Sequence, residues 1–342
     1  MRNGKKTGET KHIKVDGVVT WTPGDVTIAQ KKGGLVSIVS TKEYSSQMPC
    51  VVIGIDKWNK ANRSTVENMI QAIAEGSEQV QNNPLALKRA SQISAALYKE
   101  DGADAAYWEK YFKGTQETDK SGEMVELGGS SVNNLADSLL AFGLVPGSAN
   151  LVGTTYTVFG DLVKSQYPEL VPTYYSADQV IDRSFLQDIA ARMTQGMTPG
   201  ARKVFVASAN KARPTYKKGQ VVRKVLSRRV WNITFNAGKN TFTPQARQTM
   251  ESLSRQLLVA SGTVVEVHGH TDNQGDPRKS MPLSEARAFA VKQWLQNRAP
   301  VNFPEGRIRV FAHGETQPLV PNTTPENRAK NRRVEIVLGT TA

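Results

Sequence analysis

Apolar residues recur every three to four positions through much of the first half of the chain, and this period predicts helices. We expect helices over 64–80, from Pro84 onward, and over 103–112, 132–142 and 150–167. Shorter apolar or alternating runs predict three strands, at 15–21, 35–40 and 50–55. Strands followed by several helices indicate α/β layering in this half.

The C-terminal part combines the helical period of three to four residues with the two-residue alternation of strands. Strands are predicted at 231–235, 263–268 and 308–312 and from Val334, with helices opening at Thr243-Pro244 and at Ser284. In the second of these strands, Val265 and Val267 share one face, and Glu266 and His268 the other. This order predicts a compact βαβαβ-type fold, so the fold class of the whole chain is α/β followed by α+β.

Basic residues are concentrated in one stretch. Thirteen of the 44 Lys and Arg residues lie between Ile189 and Met250, which has no Asp or Glu, and the formal net charge is +13. Pro and Gly with little periodicity indicate a basic linker over 189–229, between domains at 1–188 and 230–342. The linker is either a solvated spacer or a stripe that attracts an anionic surface. Nucleic acid is not expected, because no recognition motif accompanies the charge.

A charged pair stands on the two sides of one loop. Asp272 follows a predicted strand, and Arg287 lies three residues after Ser284, the expected N-cap of the next helix. A cation is unfavourable in the first turn of a helix, which suggests that Arg287 has another use. A carboxylate facing a guanidinium makes a two-ended clamp, and the natural ligand for it is zwitterionic, such as an amino-acid centre.

The same residues carry a family resemblance. Gly269-His270-Thr271-Asp272, Leu283-Ser284, Arg287-Ala288 and Asn331-Arg332-Arg333-Val334-Glu335 resemble the motifs of the OmpA-like peptidoglycan-binding domain, over about 230–339. The resemblance implies that Asp272 and Arg287 hold the diaminopimelate residue of the cell-wall stem peptide. The resemblance also implies that Phe235 and Asn236 border the groove in which this ligand lies. Thr271, Leu283 and Arg332 complete the candidate site, and Ser280 stands where the family usually has Asn.

Residues 13–187 show a second resemblance. Val15-Asp16-Gly17-Val18-Val19-Thr20-Trp21, the run Val51-Val52-Ile53-Gly54 and Phe159-Gly160-Asp161 are similar to the C-terminal portion of a periplasmic solute-binding protein of the ABC-transporter type. Such proteins have two lobes, so this half is expected to be incomplete, with most of the first lobe and much of the second upstream of Met1. The chain is then expected to be a fragment, the partner of a separately encoded half, or a chain whose start is placed too far downstream. The N-terminus has no apolar core of a signal peptide, and a missing upstream segment would explain that.

The sequence contains few motifs that indicate a catalytic site. The Gly pairs at 33–34 and 128–129 lack a nucleotide-binding context, and Ser130-Ser131 lacks the spacing of a nucleophile elbow. His268, His270 and His313 leave a zinc site as an alternative, although no acidic general base accompanies them. Cys50, among apolar neighbours, is expected in a buried strand. We therefore expect no enzyme, metal or cofactor.

These observations describe a protein of the periplasm or cell envelope, associated with the outer membrane. Its C-terminal domain is expected to bind peptidoglycan and to tether a solute-receptor-like module. The alternative is a structural adaptor whose receptor-like half contacts a protein partner instead of a solute.

Overall fold

A computed structural model describes residues 17–34, 36–38, 44, 51–129, 132–208 and 215–341. Two compact units divide the chain: one is formed by Met1–Ser37 and Val80–Val132, the other by Ile38–Gln79 and Asn133–Ala342. In the part of the chain described, no helix combines the length and the apolar character needed to cross a membrane.

The order of elements is helical first and mixed later. The earlier elements are α1 (Gly24–Lys31), α2 (Asp56–Ala61), α3 (Arg63–Asn82), α4 (Pro84–Tyr98), α5 (Ala105–Lys113), β1 (Thr115–Thr118), β2 (Met124–Leu127), α6 (Leu135–Ala141), α7 (Leu151–Gln166), α8 (Ala177–Val180), α9 (Ser184–Thr194) and α10 (Pro199–Ser208). The later ones are β3 (Lys224–Trp231), α11 (Ala246–Val259), β4 (Val264–His270), α12 (Pro277–Arg298), β5 (Ile308–Gly314), α13 (Pro325–Asn331) and β6 (Val334–Thr340).

The helices predicted between residues 64 and 167 are confirmed as α3 to α7. Local capping explains where several of them begin. The side chain of Asn83 accepts the backbone N–H of Leu85 at the start of α4, where Pro84 occupies the first turn. Asp104 and Asn150 cap α5 and α7 in the same way. Each cap satisfies a backbone donor that the helix itself leaves unpaired.

The three strands predicted before these helices are wrong where the structure describes them. Residues 17–21, 36–38 and 51–55 form no strand. Their apolar side chains are exposed, Val19 to 97% and Ile53 to 88%, so the alternation does not mark a half-buried sheet face. Residues 15–16, 35, 39–40, 50 and 130–131, including Cys50 and the Ser130-Ser131 pair, lie outside the described residues. The α/β layering predicted for this half therefore has no support in the described part.

The first unit has a small core around a hairpin. Strands β1 and β2 pair antiparallel, and Leu127 of β2 packs with Tyr111 of α5 and with Val26 and Ala29 of α1. The hairpin is joined to α1 through its backbone, since the Lys120 N–H donates to Ala29 O at 2.9 Å.

In the second unit, a four-stranded sheet has the order β3-β6-β4-β5. Strands β4 and β5 are parallel, whereas β6 is antiparallel to both β4 and β3. Helices α11 and α12 cover one face of the sheet, and their apolar residues pack there against those of the strands. The shared core includes Met250, Leu253, Leu257, Val265, Val267, Val291, Leu295, Ile308, Val334 and Ile336.

Helical residues before the sheet belong to the same unit. Ala149 and Leu151 pack against the core of the sheet. The Ala149 N–H donates to Asn302 Oδ1 at 2.8 Å, and the Val301 N–H donates to Gly147 O at 3.2 Å. The start of α7 is thus attached to the segment that follows α12.

The first strand of this sheet begins earlier than predicted. Strand β3 spans Lys224–Trp231 instead of 231–235, and its residues Lys224, Arg228 and Arg229 are exposed. It lies at the edge of the sheet, and an edge strand does not need apolar side chains on both faces. The predicted domain boundaries remain predictions, but α10 and the start of β3 show that segment 189–229 contains regular structure.

Helix α12 also begins earlier than predicted. Asp276 is its N-cap, accepting the Arg278 N–H, and Pro277 is in its first turn. Ser284 is therefore inside the helix, and Arg287 lies about three turns from its start. The predicted unfavourable placement of Arg287 near a helix N-terminus is wrong, because α12 begins at Pro277 and accommodates Pro282 in its interior.

Candidate functional site

The end of strand β4 places a carboxylate at the edge of the sheet. Thr271 and Asp272 follow the strand, and the Thr271 N–H donates to Gly314 O at 2.8 Å. Asp272 is buried, and its Oδ1 accepts the Gln274 N–H at 3.1 Å. Its Oδ2 forms an ion pair with Arg332 Nη1. Asp272 thus lies where the sequence predicts it, but one of its oxygens already has a cationic partner.

Arg287 approaches the same place from α12. It is buried, its Nε donates to Lys239 O at 3.1 Å, and its guanidinium carbon lies 5.1 Å from the centre of the Phe235 ring. Burial lowers the pKa of Arg287, the cation Arg332 lowers it further, and Asp272 raises it. An arginine with such a shift remains protonated at neutral pH. Arg287 is therefore a cation whose terminal nitrogens have no hydrogen-bond partner among the described residues.

We call Asp272, Arg287 and Arg332 the charge cluster. It contains one anion and two cations, so its net charge is positive. In a partly buried site, such an excess attracts an anionic group more strongly than it would in water. Guanidinium groups bind carboxylates through two parallel hydrogen bonds, while the carboxylate of Asp272 suits an ammonium group. The cluster can therefore hold a ligand that carries both charges.

A short hairpin loop supplies the apolar side of this site. Phe235 and Phe242 form an isolated bridge, and their rings are 5.2 Å apart. Asn236 closes the loop, since its Nδ2 donates to Thr241 Oγ1 at 2.8 Å and its N–H donates to Thr241 O at 2.9 Å. The loop thereby brings both the Phe235 ring and the Lys239 carbonyl to Arg287. Asn236 hydrogen-bonds within the loop itself, and no sequence pattern indicates the contact of Lys239 with Arg287.

The Gly and Ser of the two motifs hold the sheet and α12 together. A Cβ atom on Gly269 would lie 2.2 Å from Ser284 O, so only glycine permits this close approach. Ser284 is fully buried; its Oγ donates to Met281 O at 2.8 Å and accepts the Gly314 N–H at 2.9 Å. Ser284 is thus a link between α12 and β5, in contrast to its predicted role as an N-cap.

The remaining candidate residues are Leu283 and Ser280, which lie in α12, and Thr271, which follows β4. Leu283 is half-buried on α12. Thr271 Oγ1 is buried and has no partner among the described residues. Ser280, which departs from the family pattern, donates from its Oγ to Glu315 Oε2 at 3.1 Å. A hydrogen bond between α12 and the loop after β5 is therefore present at this position.

Asn331 positions the segment that carries Arg332. It is fully buried, and its Oδ1 accepts the N–H groups of Leu319 and Val320 at 2.8 and 3.1 Å. Its Nδ2 donates to Val320 O and to Asn322 Oδ1. Because every polar atom of the side chain is used, Asn331 fixes the end of α13, next to Arg332, to the loop between β5 and α13. In the sequence, Asn331 is recognisable only as the first residue of the Asn331–Glu335 motif, and this structural role is not predicted.

The three histidines form a stack, and their geometry does not suit a metal. The ring centres of His268 and His270 lie 5.1 and 4.7 Å from that of His313, with nearly parallel planes. His268 Nδ1 and His313 Nε2 lie 2.8 Å apart and share a hydrogen bond, so these two nitrogens are paired with each other. Within the described residues there is no group of three or more His, Cys, Asp or Glu able to hold a metal ion. Burial, and then the charge of Arg333, lower the pKa of His270 to about 4.

Comparison with known proteins identifies the C-terminal part. Residues 234–332 match the OmpA family. Outer membrane protein A of Bordetella avium is 32% identical over 138 residues, which are 40% of this chain and 66% of that protein. The peptidoglycan-binding protein ArfA of Mycobacterium bovis is 33% identical over 106 residues, 31% of this chain and 32% of that protein. This chain therefore spans less than two thirds of either curated relative.

One solved structure is only weakly similar to this chain, over about a third of its length. The C-terminal domain of Helicobacter pylori MotB is 24% identical, with a TM-score of 0.30, over 33% of this chain and 86% of that one. The family match lies after residue 233 and gives no support to the solute-binding resemblance of the first half. The family match, together with the motifs from Gly269 to Glu335, identifies an OmpA-family domain at the C-terminus of this chain.

Proposed function

We propose that the C-terminal domain binds peptidoglycan without forming a covalent bond, and that it tethers the rest of the chain in the cell envelope. The observation that carries this proposal is the charge cluster, in which Asp272 and two guanidinium groups meet beside the Phe235 ring. The site suits ligand binding, because its described residues supply charges and hydrogen-bonding groups and no activated nucleophile. We therefore assign the domain no enzymatic role.

The proposed ligand is the diaminopimelate residue of the stem peptide. Its free amino-acid centre carries an ammonium and a carboxylate on one carbon, which matches a carboxylate and a guanidinium in one site. The carboxylate would bind the free nitrogens of Arg287, and it would also relieve the repulsion between Arg287 and Arg332. The ammonium would share Asp272 with Arg332. The aliphatic part of the ligand would pack on Phe235.

The names of two similar proteins support peptidoglycan as the binding partner. ArfA of Mycobacterium bovis is by name a peptidoglycan-binding protein, and its similar region is about the size of the domain proposed here. Outer membrane protein A of Bordetella avium is an envelope protein by name. We therefore place this chain in the periplasm or envelope, at the outer membrane.

For the first half, an adaptor is favoured over a solute receptor. The described part contains helices and one hairpin, without the predicted sheet of a receptor lobe. Large apolar side chains are exposed there, among them Ile38, Val52, Ile53, Leu85 and Leu97. Exposed apolar surface of this kind is typical of a region that contacts another macromolecule.

Co-sedimentation with purified sacculi tests the wall proposal. The full chain should sediment with sacculi of the diaminopimelate type, and soluble stem peptide containing diaminopimelate should compete. Sacculi in which lysine replaces diaminopimelate lack the side-chain carboxylate, and they should retain clearly less protein. Equal retention on both kinds of sacculi would refute recognition of diaminopimelate, and no retention on either would refute wall binding.

A further inference from the structure

The first unit contains an aromatic cavity that the proposed function does not use. It has a volume of about 350 Å³, near the lower end of the ~300–1,000 Å³ typical of small-molecule sites. The segment before α1, helix α4 with the loop after it, and helix α5 all contribute to its wall. This wall includes Trp21, Ser94, Tyr98, Glu100, Trp108 and Phe112.

Three of the aromatic rings form a curved series. The ring centre of Trp108 lies 5.6 Å from that of Tyr98 and 5.4 Å from that of Phe112, and the neighbouring ring planes are tilted by 40° and 38°. The fourth ring belongs to Trp21, which is 72% exposed, and Tyr98 is 60% exposed. Two large rings exposed beside one concave surface are typical of a ligand site.

Cations of the protein itself do not cover these rings. In the described part of the chain, Lys and Arg side chains lie over several other aromatic rings, such as Lys110 over Tyr111, but over none of these four. The face of an aromatic ring is negatively polarised and attracts a cation, and the attraction is strongest for Trp. Because two of the four rings are Trp, the cavity offers favourable surfaces to a cation from outside.

The charge of the cavity has the matching sign. Glu100 is exposed, and its carboxylate has no ion pair within the described residues. Burial, and then the charges of Asp25 and Glu100, raise the pKa of Tyr107, whose ring centre lies 6.0 Å from that of Trp108. The negative potential therefore extends to the rings. Since the described lining contains no Lys or Arg, a positively charged ligand is favoured over an anion or a neutral molecule.

The scarcity of strong acceptors selects the kind of cation. A primary ammonium has three N–H donors, and it loses hydrogen bonds to water unless acceptors replace them. A metal ion such as Ca²⁺ needs at least six oxygen ligands. The described lining supplies a single charged acceptor, Glu100, and is otherwise dominated by rings. A quaternary ammonium has no N–H to satisfy, and its methyl groups spread the positive charge over the surface that meets the rings.

We propose that this cavity binds a small quaternary ammonium ion, such as choline. The rings of Trp21, Tyr98 and Trp108 contact the methyl groups, and Glu100 balances the charge. This inference does not depend on the charge cluster, which lies in the other unit.

Titration calorimetry of the full chain with matched ligands tests the proposal. Choline is compared with dimethylbutanol, which has the same shape but a neutral carbon in place of the nitrogen. We expect saturable binding of choline and binding of the neutral analogue about ten-fold weaker or more, because the rings and the carboxylate recognise the charge. Equal affinity for the two ligands would overturn the proposal, and so would the absence of choline binding.

Variants of the wall separate the two kinds of contact. Trp21→Ala should weaken choline binding about five-fold or more, and Glu100→Gln about three-fold or more. Both side chains are exposed, so circular dichroism melts should show little change in stability. Trp58→Ala removes a half-exposed tryptophan outside the cavity and should leave the affinity unchanged. An unchanged affinity in both Trp21→Ala and Glu100→Gln would contradict the assignment.

Two further measurements define the source of the ligand and the independence of the site. Vesicles of phosphatidylcholine should retain the chain if the quaternary group is a lipid headgroup, and should not retain it if the ligand is a free ion. Retention on sacculi is measured separately with the Arg287→Ala variant. The proposals for the aromatic cavity and for the charge cluster can therefore fail independently.

Discussion

Asp272 and Arg332 form an ion pair across the end of the sheet, although they are sixty residues apart in the chain. Asp272 is buried in the pair, while Arg332 remains about half exposed. Arg332 also lowers the pKa of the neighbouring Arg287 by its charge. The pair therefore orients Asp272 and at the same time keeps a second cation at the site.

Removing Arg332 is expected to weaken ligand binding. Arg332→Ala takes away one of the two guanidinium groups and the partner that holds Asp272, so affinity for a stem peptide containing diaminopimelate should fall about ten-fold. Lys330→Ala removes an exposed cation from α13 and serves as the control. Titration calorimetry measures both. Tighter binding in Arg332→Ala would mean that Arg332 only competes with the ligand for Asp272.

Arg287 is expected to contribute modestly to stability. Arg287→Ala removes the contact with Phe235 and the hydrogen bond to Lys239 O, which should lower the free energy of unfolding by about 1–2 kcal/mol. Arg278→Ala, on the same helix but with a side chain 90% exposed, should change it by less than about 0.5 kcal/mol. Urea denaturation compares the two variants. A more stable Arg287→Ala would contradict this prediction, because it would mean that the buried cation destabilises the fold more than its two contacts stabilise it.

Arg307 is expected to be essential for the fold. It is fully buried, and its guanidinium donates to the carbonyl oxygens of Thr263, Asn302, Leu257 and Ala260. Arg307→Met would leave these acceptors without a partner and should cost about 3–5 kcal/mol. The exposed Arg298→Met is the control, expected within about 0.5 kcal/mol of the parent. A loss below about 1 kcal/mol in Arg307→Met, by urea denaturation, would contradict this role.

The histidine stack predicts a pH dependence of stability. The pKa of His270 is lowered to about 4 by burial and by Arg333, against ~6.5 in an unfolded chain. Between these values the unfolded state binds more protons, so the free energy of unfolding rises with pH. The stability that His270 contributes is complete above pH ~6.5 and is lost as the pH falls toward 4, by up to about 3 kcal/mol.

His270→Phe isolates this contribution. The variant should show a shallower rise in the urea midpoint between pH 4 and 6.5. A residual slope should remain, because burial also lowers the pKa of His268 and His313. Glu266, which lies beside His268, is present in both proteins and does not affect the comparison. An unchanged slope in His270→Phe would show that His270 does not titrate in this window.

The sequence predicted those parts of the fold that local pattern controls. Helix α4 begins at Pro84 after the capping Asn83, and apolar residues at alternate positions of β4 and β6 lie in the core. Strand β3 was misplaced because its basic residues lie on an edge, where apolar side chains are not required. The runs at 17–21 and 51–55 were misread because alternation does not reveal whether a partner strand exists.

At the site, sequence motifs predicted which residues lie together but not how they are paired. Asp272 and Arg287 are brought into one cluster, as expected from the two-ended clamp. The pairing of Asp272 with Arg332 depends on the antiparallel contact of β4 with β6, and the support from Lys239 O depends on a loop conformation. Both are tertiary contacts, which a local pattern does not encode.

Recognition of the ligand carboxylate by Arg287 is the central claim, and matched ligands test it most directly. Titration calorimetry compares stem peptides whose diaminopimelate carboxylate is free or amidated, against the parent chain and Arg287→Ala. In the parent, amidation should cost about 2–5 kcal/mol, or roughly thirty-fold or more in affinity. In Arg287→Ala, amidation should cost little, because the contact is already gone. An equal cost of amidation in both proteins would contradict the assignment.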